Sequence, residues 1–217
     1  MGGKLDTNLG NQTPTDGTLV TLALADLQPF CRHPYKVRDD EAMRDMVESI
    51  KQYGVLCPAI ARPMPDDGYE LISGHRRKRA CELAGLETIP VIVRELDDDA
   101  AAILVVDSNL QREDLLPSER AFAYKLKLEA LRHKGERTDL TSRQVVGKLE
   151  AADIIGEDAG ESGRQVQRCI RLTELIPPLL DMVDERKVAF NPAYELSFLT
   201  KDEQTMLLDA MDSEQAT

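Results

Sequence analysis

Five side chains able to carry positive charge, His75-Arg76-Arg77-Lys78-Arg79, stand directly behind Ser73-Gly74. The four residues ahead of them, Tyr69-Glu70-Leu71-Ile72, read as a strand, and the run itself opens a helix. Glycine lets the backbone approach an anion closely. A helix N-terminus adds unsatisfied N–H groups and a favourable dipole, and arginine adds forked donors. A strand, a glycine and a basic helix start therefore suit a polyphosphate. Neither G-x-x-x-x-G-K-[ST] nor G-x-G-x-x-G is present. The same residues also fit a solvated basic helix face or a patch on a DNA backbone, and the cluster alone does not choose.

Two further segments carry groups that do chemistry. Asp107-Ser108-Asn109-Leu110-Gln111-Arg112-Glu113-Asp114-Leu115 is polar and holds side chains suited to phosphate or Mg²⁺. Ser162-Gly163 caps a helix that carries Arg164, Gln165, Gln167, Arg168 and Arg171 with no acid before Glu174. Val166, Cys169 and Ile170 give that helix an inward stripe, so the polar residues face outward. Arginine and glutamine there are the side chains that read guanine and adenine edges in a major groove. The alternative is a basic surface helix packed on its neighbours. Arg120, Lys125, Lys127, Arg132, His133 and Lys134 lie on one helix, read as a solvated face or as DNA-phosphate contacts. Asp97 to Asp99 are the one carboxylate cluster offered for nuclease-type metal chemistry, and they read better as a helix cap. The four cysteines, Cys31, Cys57, Cys81 and Cys169, lack zinc-site spacing and read as reduced thiols.

The elements that position these residues follow from periodicity and breakers. Residues 1–18 are rich in Gly, Thr and Asn without apolar periodicity and read as a disordered tail. Leu19–Leu24 reads as a short strand. Met43, Met46, Val47 and Ile50 predict a helix from Asp39 to Tyr53, ended by Gly54. Pro58–Arg62 and Tyr69–Ile72 read as strands joined by a turn at Asp66-Asp67-Gly68. A helix from His75 to Leu83, a strand Ile89–Val93 and a helix from the Asp97–Asp99 cap to Asn109 complete an α/β region. After Leu116-Pro117 only helices follow. They run from Ser118 to Lys134, from Gln144 to Ile155 behind a Thr141-Ser142 cap, from Arg164 to Ile176, near Leu179–Glu185 and near Lys201–Met211. Tyr35, Phe122, Tyr124 and Tyr194 sit at core spacings. The division expected is 19–115 and 116–217, with Ala151–Glu161 an unusually long, acidic connection ahead of the basic helix, to be read either as an extension of the preceding helix or as a loop beside the DNA.

The chain has 217 residues, 42% hydrophobic and 30% charged, with no Trp, so aliphatic side chains must build its cores. It contains no apolar run long enough to span a membrane and no signal-peptide pattern, which points to the cytoplasm. The net charge of −12 argues against nucleic acid only if the two signs are mixed. Here they are segregated: acids gather at Glu95–Asp99, Glu150–Glu161 and from Asp202 onward, and bases in the segments above.

Several segments in order resemble the ParB family of partition proteins. His33-Pro34-Tyr35-Lys36-Val37-Arg38 resembles its N-P-Y-Q-P-R box, and Gly74-His75-Arg76-Arg77-Lys78-Arg79-Ala80 resembles its G-E-R-R-x-R-A box. Asn109-Leu110-Gln111-Arg112 resembles the end of its E-N-x-Q-R box, and Leu116-Pro117-Ser118-Glu119 continues the pattern. The resemblance covers residues 22–200 or so. It implies an α/β, ParB/sulfiredoxin-like N-terminal domain followed by an all-α helix-turn-helix domain. It also implies a site for CTP and Mg²⁺ made by Lys36, Arg38, Gly74, His75, Arg76, Arg77, Ser108, Asn109 and Arg112, with Asn109 facing the metal. DNA reading would fall to Ser162, Arg164, Gln165, Gln167, Arg168 and Arg171. His75 and Ser108 replace two family carboxylates, so the resemblance implies at most a slow CTPase. Sulfiredoxins, which use ATP, carry a similar loop. The partners implied are a specific double-stranded DNA site, a second copy of the chain and a ParA-like ATPase, in the segregation of a chromosome, plasmid or mobile element. The rival readings are a transcriptional regulator without nucleotide switching and a ParB-like nuclease or sulfiredoxin-like enzyme. The family ends in a separate dimerisation domain, and no leucine-rich heptads follow Met211.

Overall fold

The structure, a computed structural model, describes residues 16–65, 68–110, 112, 115–138 and 147–215. Its contacts divide the chain into two units, Met1–Phe30 with Val37–Glu95, and Cys31–Lys36 with Leu96–Thr217. This division differs from the one expected at Leu115. The helix Asp98–Leu110 buries Ala101, Ala102, Val105 and Val106 and packs along the next helix, so it groups with the helical unit.

Among the described residues, the first unit is a five-stranded mixed sheet with two α-helices and a 3₁₀ turn over Leu24–Asp26. In chain order it contains β1 (Thr18–Ala23), β2 (Leu27–Pro29), α1 (Glu41–Tyr53), β3 (Ala59–Met64), β4 (Gly68–Ser73), α2 (His75–Leu83) and β5 (Thr88–Val93). The sheet order is β1-β5-β3-β4-β2, with β1/β5 and β3/β4 antiparallel and β3/β5 and β2/β4 parallel. Alternation along β5 sends Ile89, Val91 and Val93 into the core, where they meet Met43, Val47 and Ile50 of α1 and Ala80 and Cys81 of α2. The short strand β2 lies outside the sequence reading, because three residues give too little alternation to register. Of the expected disordered tail, residues 1–15 lie outside the described residues. Its last residues are ordered: Gly17 N–H donates to the Val93 carbonyl at 2.8 Å, and the Asp16 carboxylate accepts from the Glu95 N–H. The expected turn at Asp66-Asp67 also lies outside the described residues.

The second unit contains α3 (Asp98–Leu110), α4 (Pro117–Thr138), α5 (Gly147–Ala159), α6 (Gly163–Arg171), α7 (Pro177–Asp184), α8 (Phe190–Leu196) and α9 (Lys201–Gln215). Its core gathers Tyr124, Leu128, Ala152, Ile155, Val166, Cys169, Leu172, Leu179 and Val183. Of the two forms open to it, the acidic stretch takes the helical one and continues α5 to Ala159. Only Gly160, Glu161 and Ser162 separate α5 from α6, the spacing of a compact helix-turn-helix. Gly160 takes the left-handed conformation (φ 70°) that ends α5. The Thr141-Ser142 cap and the start at Gln144 lie outside the described residues. The basic helix is shorter than expected, ending at Arg171 before a 3₁₀ turn over Leu172–Glu174. Gln204 of α9, fully buried, closes that corner. Its Oε1 accepts from Ile176 N–H, and its Nε2 donates to the Glu174 and Leu199 carbonyls.

Candidate functional site

In the first unit, Gly74 is the cap of α2 and adopts φ 105°, ψ 20°, which disfavours any side chain. A Cβ there would also lie 2.9 Å from the Ala59 Cβ, so glycine sets how closely α2 meets β3. The N–H groups of the first α2 turn, at His75 to Arg77, precede the first intrahelical bond, which Lys78 N–H makes to the Gly74 carbonyl. Asp40 caps α1 by accepting from Met43 N–H at 2.9 Å, and the same Oδ1 receives Arg76 at 3.0 Å. Arg79 makes a two-pronged contact with Asp39, at 3.1 and 2.6 Å. That contact holds the Asp39 carboxyl below its ordinary range. Arg77 turns inward and donates to the Cys57 and Pro58 carbonyls at 2.7 and 2.6 Å. It braces the loop ahead of β3, and burial lowers its pKa. Arg38 is exposed. The unit thus brings together Gly74, His75, Arg76 and Arg77 and ties three arginines, Arg76, Arg77 and Arg79, to protein acceptors that sequence reasoning missed.

The second unit holds Lys36, Ser108, Asn109 and Arg112. The Lys36 backbone N–H donates to Glu119 at 2.8 Å, and the same carboxylate accepts from Leu116 N–H ahead of α4. Glu119 is buried, so it pins the Tyr35–Lys36 segment to the start of α4. A glutamate three residues beyond a helix cap is a capping-box signature, a signal available in Leu116-Pro117-Ser118-Glu119. At the end of α3, Ser108 Oγ donates to the Val105 carbonyl at 3.1 Å. Asn109 Nδ2 donates to the same carbonyl and to Ser108 Oγ, so its donor side is engaged and the amide oxygen is its acceptor. Arg112 N–H closes the segment onto the Asn109 carbonyl. The basic face expected on α4 is largely engaged: Arg120 pairs with Glu161, Lys125 reaches Thr173 and Glu174, and Lys127 is buried between Asp107 and Asp158.

In the helix-turn-helix, Ser162 Oγ accepts from Gln165 N–H, the cap its sequence implied. Arg164 in the first turn of α6 is exposed, with Gln165 and Gln167 half-buried. Arg168 and Arg171, expected to face outward, turn instead onto α8 and onto the Ser197-Phe198 segment that follows it. The Arg168 guanidinium stacks on Phe190 and Tyr194 at 5.3 and 4.7 Å and donates to Asn191 at 2.8 Å. Arg171 lies 4.5 Å over Phe198 and donates to the Ser197 carbonyl. The sequence reading has no α8, so these acceptors were absent from it. Phe122 and Tyr194, read as core, are exposed and half-buried, whereas Tyr35 and Tyr124 are buried.

Residues 9–110 match the ParB N-terminal domain family. The probable chromosome-partitioning protein ParB of Neisseria meningitidis serogroup A is 32% identical over 210 residues, covering 95% of this chain and 67% of that protein. The chain belongs to the ParB family. A second family member, the chromosome-partitioning protein Spo0J of Thermus thermophilus, is 33% identical over 190 residues, 88% of this chain. This chain spans 64% of that relative's length. Among solved structures, the C-terminally truncated ParB of Caulobacter crescentus complexed to the centromeric parS site matches with TM-score 0.51 and 29% identity, over 82% of this chain and 84% of that one. The fold expected of a ParB chain, a mixed α/β domain followed by helices, is the one observed.

A phosphate fits the α2 start, where first-turn N–H groups, Gly74 and Arg76 share one end of a helix. Mg²⁺ is less well served, since it favours one or two carboxylates with phosphate oxygens. Among the described residues of the α3 segment, the Asn109 amide oxygen is available, Ser108 bonds its own backbone, and Asp107 faces Lys127. No described helix is long and apolar enough to cross a membrane.

Proposed function

We propose that this ParB-family protein is a site-specific, CTP-responsive DNA-binding partition protein, acting as a homodimer in the cytoplasm on a chromosome or plasmid. The single observation carrying the reading is the compact α5–turn–α6 motif, with Ser162 capping a helix whose first turn exposes Arg164 beside Gln165 and Gln167. In this reading α6 enters the major groove and these three side chains meet base edges. The triphosphate is held by Gly74, His75, Arg76 and Arg77, joined by Lys36, Arg38, Ser108, Asn109 and Arg112. Asn109 would be the chain's own ligand for Mg²⁺, which would neutralise phosphate charge. Nucleotide acts as a switch between two conformations of paired chains, retaining the protein on DNA after it leaves its site. A ParA-like ATPase is the partner this role requires.

The test is binding of a parS duplex and a scrambled duplex, each with CTP, ATP, GTP or UTP and Mg²⁺. The reading expects parS preference without nucleotide and retention on closed circular DNA with CTP alone among the four. Site-specific binding that ignores every nucleotide would instead identify a regulator without a switch.

A further inference from the structure

Lys127 sits in the middle of α4 and is 2% exposed. Its ammonium lies 2.5 Å from Asp107 of α3 and 2.6 Å from Asp158 of α5. The two carboxylate side chains are about half exposed, at 46% and 51%, so water reaches them but scarcely reaches the cation between them. Burial alone would make the ammonium easier to deprotonate, but the two carboxylates outweigh it and keep the group charged. A buried charge that loses one partner is strongly penalised unless another partner takes up the interaction. The last turn of α3 and the last turn of α5 therefore share one counter-ion, and neither can shift without changing the field on the other.

What those two elements carry gives the triad its meaning. Asp107 immediately precedes Ser108 and Asn109, and Asp158 lies in the last turn of α5, the first helix of the helix-turn-helix. Resting on the functional reading above, we propose that Lys127 is a positioning residue that couples the nucleotide-facing turn of α3 to the DNA-reading motif. A ligand that favours one setting of the Asn109 turn changes how tightly Asp107 holds Lys127, and the change is felt at Asp158. Coupling of this kind is a differential stabilisation of two states and works equally in both directions. Lys127 touches neither ligand in this scheme.

The experiment measures affinity for parS with and without CTP and Mg²⁺, and for CTP with and without parS, in wild type, Lys127→Met, Asp158→Asn and the double variant. Thermal melts establish that each variant is folded. Wild type should show a coupling factor of roughly 5-fold or more. In Lys127→Met each ligand alone should bind within about threefold of wild type, while the factor falls to within about twofold of one. Asp158→Asn, which leaves Lys127 one partner and so keeps the fold if Lys127→Met does not, should lower the factor, and the double variant should add nothing to Lys127→Met. Full coupling in folded Lys127→Met or Asp158→Asn would overturn the role of Lys127 while leaving the functional reading intact. Wild type that fails to bind CTP or parS would overturn both.

Discussion

Arginine side chains of one helix are not equivalent, and their partners divide the three on α6. Arg164 is exposed, whereas Arg168 is stacked between two aromatic rings and hydrogen-bonded to Asn191. A guanidinium on a ring is worth about 0.5–2 kcal/mol, depending on how far it is desolvated. Arg168→Leu should therefore lower the melting temperature and weaken all DNA binding through loosened α6–α8 packing. Arg164→Ala should leave the melt unchanged and cost roughly 1–3 kcal/mol of site-specific affinity alone. Melts and paired titrations on cognate and scrambled duplexes separate the two outcomes. Equal effects would mean that the α8 anchorage does not govern Arg168. His33 offers a pH signature in the same unit. Its ring nitrogen Nδ1 pairs with the Tyr35 carbonyl at 2.9 Å, and burial lowers its pKa. The unfolded chain then binds the proton more readily than the folded one. Stability contributed by neutral His33 is present above the unfolded value, about 6.5, and is lost as pH falls from there through the lower folded value. Wild type should lose stability between about pH 7 and pH 5 by more than His33→Gln does, the difference being read from denaturant midpoints.

At the scale of elements, the helix-turn-helix depends on two glycines that let α5 and the turn into α6 meet. A Cβ on Gly156 would lie 2.6 Å from the Glu161 carbonyl oxygen and 3.0 Å from the Gly163 backbone nitrogen, all main-chain atoms with little room to yield. A Cβ on Gly163 would meet the Asp153 carboxylate and backbone. Gly156→Ala should destabilise the helical unit by about 1–3 kcal/mol and reduce DNA affinity, while leaving nucleotide binding unchanged. A wild-type melt and wild-type DNA affinity in that variant would count against the close crossing. This crossing also shows what the sequence made legible and what it did not. The Ser162 cap, Gly54 ending α1 and the β3–β4–α2 run were readable because caps, breakers and periodicity are local. The reach of α5 through Glu157-Asp158-Ala159 stood open between helix and loop, because its hold comes from Lys127, thirty-one positions away. The same holds for the site. Gly74 to Arg77 were visible as a motif, but that Arg77 would brace the Cys57 and Pro58 carbonyls, and that Arg168 would find α8, depend on tertiary partners with no local signature.

For the molecule as a whole, a net charge of −12 and the proposed DNA-binding role are reconciled by where the charge lies. Much of the basic charge on α4 is neutralised by acids of its own unit, whereas Arg164 on α6 is exposed. The same distribution bears on catalysis. Triphosphate hydrolysis needs a group that orients the attacking water and cations that neutralise the transferring phosphoryl. Where the family pattern has carboxylates, this chain has His75 at the start of α2 and Ser108 at the end of α3. Ser108 spends its hydroxyl proton on the Val105 carbonyl, and neutral serine is a weak partner for Mg²⁺. Asp107 is the neighbouring carboxylate, but one residue along a helix turns it about 100° away, and it is held by Lys127. Histidine serves as a base only when neutral; as imidazolium beside the phosphates it adds affinity instead. The expected outcome is firm nucleotide binding with slow turnover, so that release of intact nucleotide resets the switch as much as cleavage does. Phosphate release with parS DNA should rise roughly tenfold or more in His75→Glu, Ser108→Glu or their combination, the range that a positioned acid–base group contributes. Nucleotide affinity, measured separately by calorimetry, should hold in Ser108→Glu and fall in His75→Glu, where a negative charge replaces a neutral or positive one beside the phosphates. Brisk hydrolysis by the wild type that neither substitution raises would show that water is oriented by some other group and that release does not set the cycle.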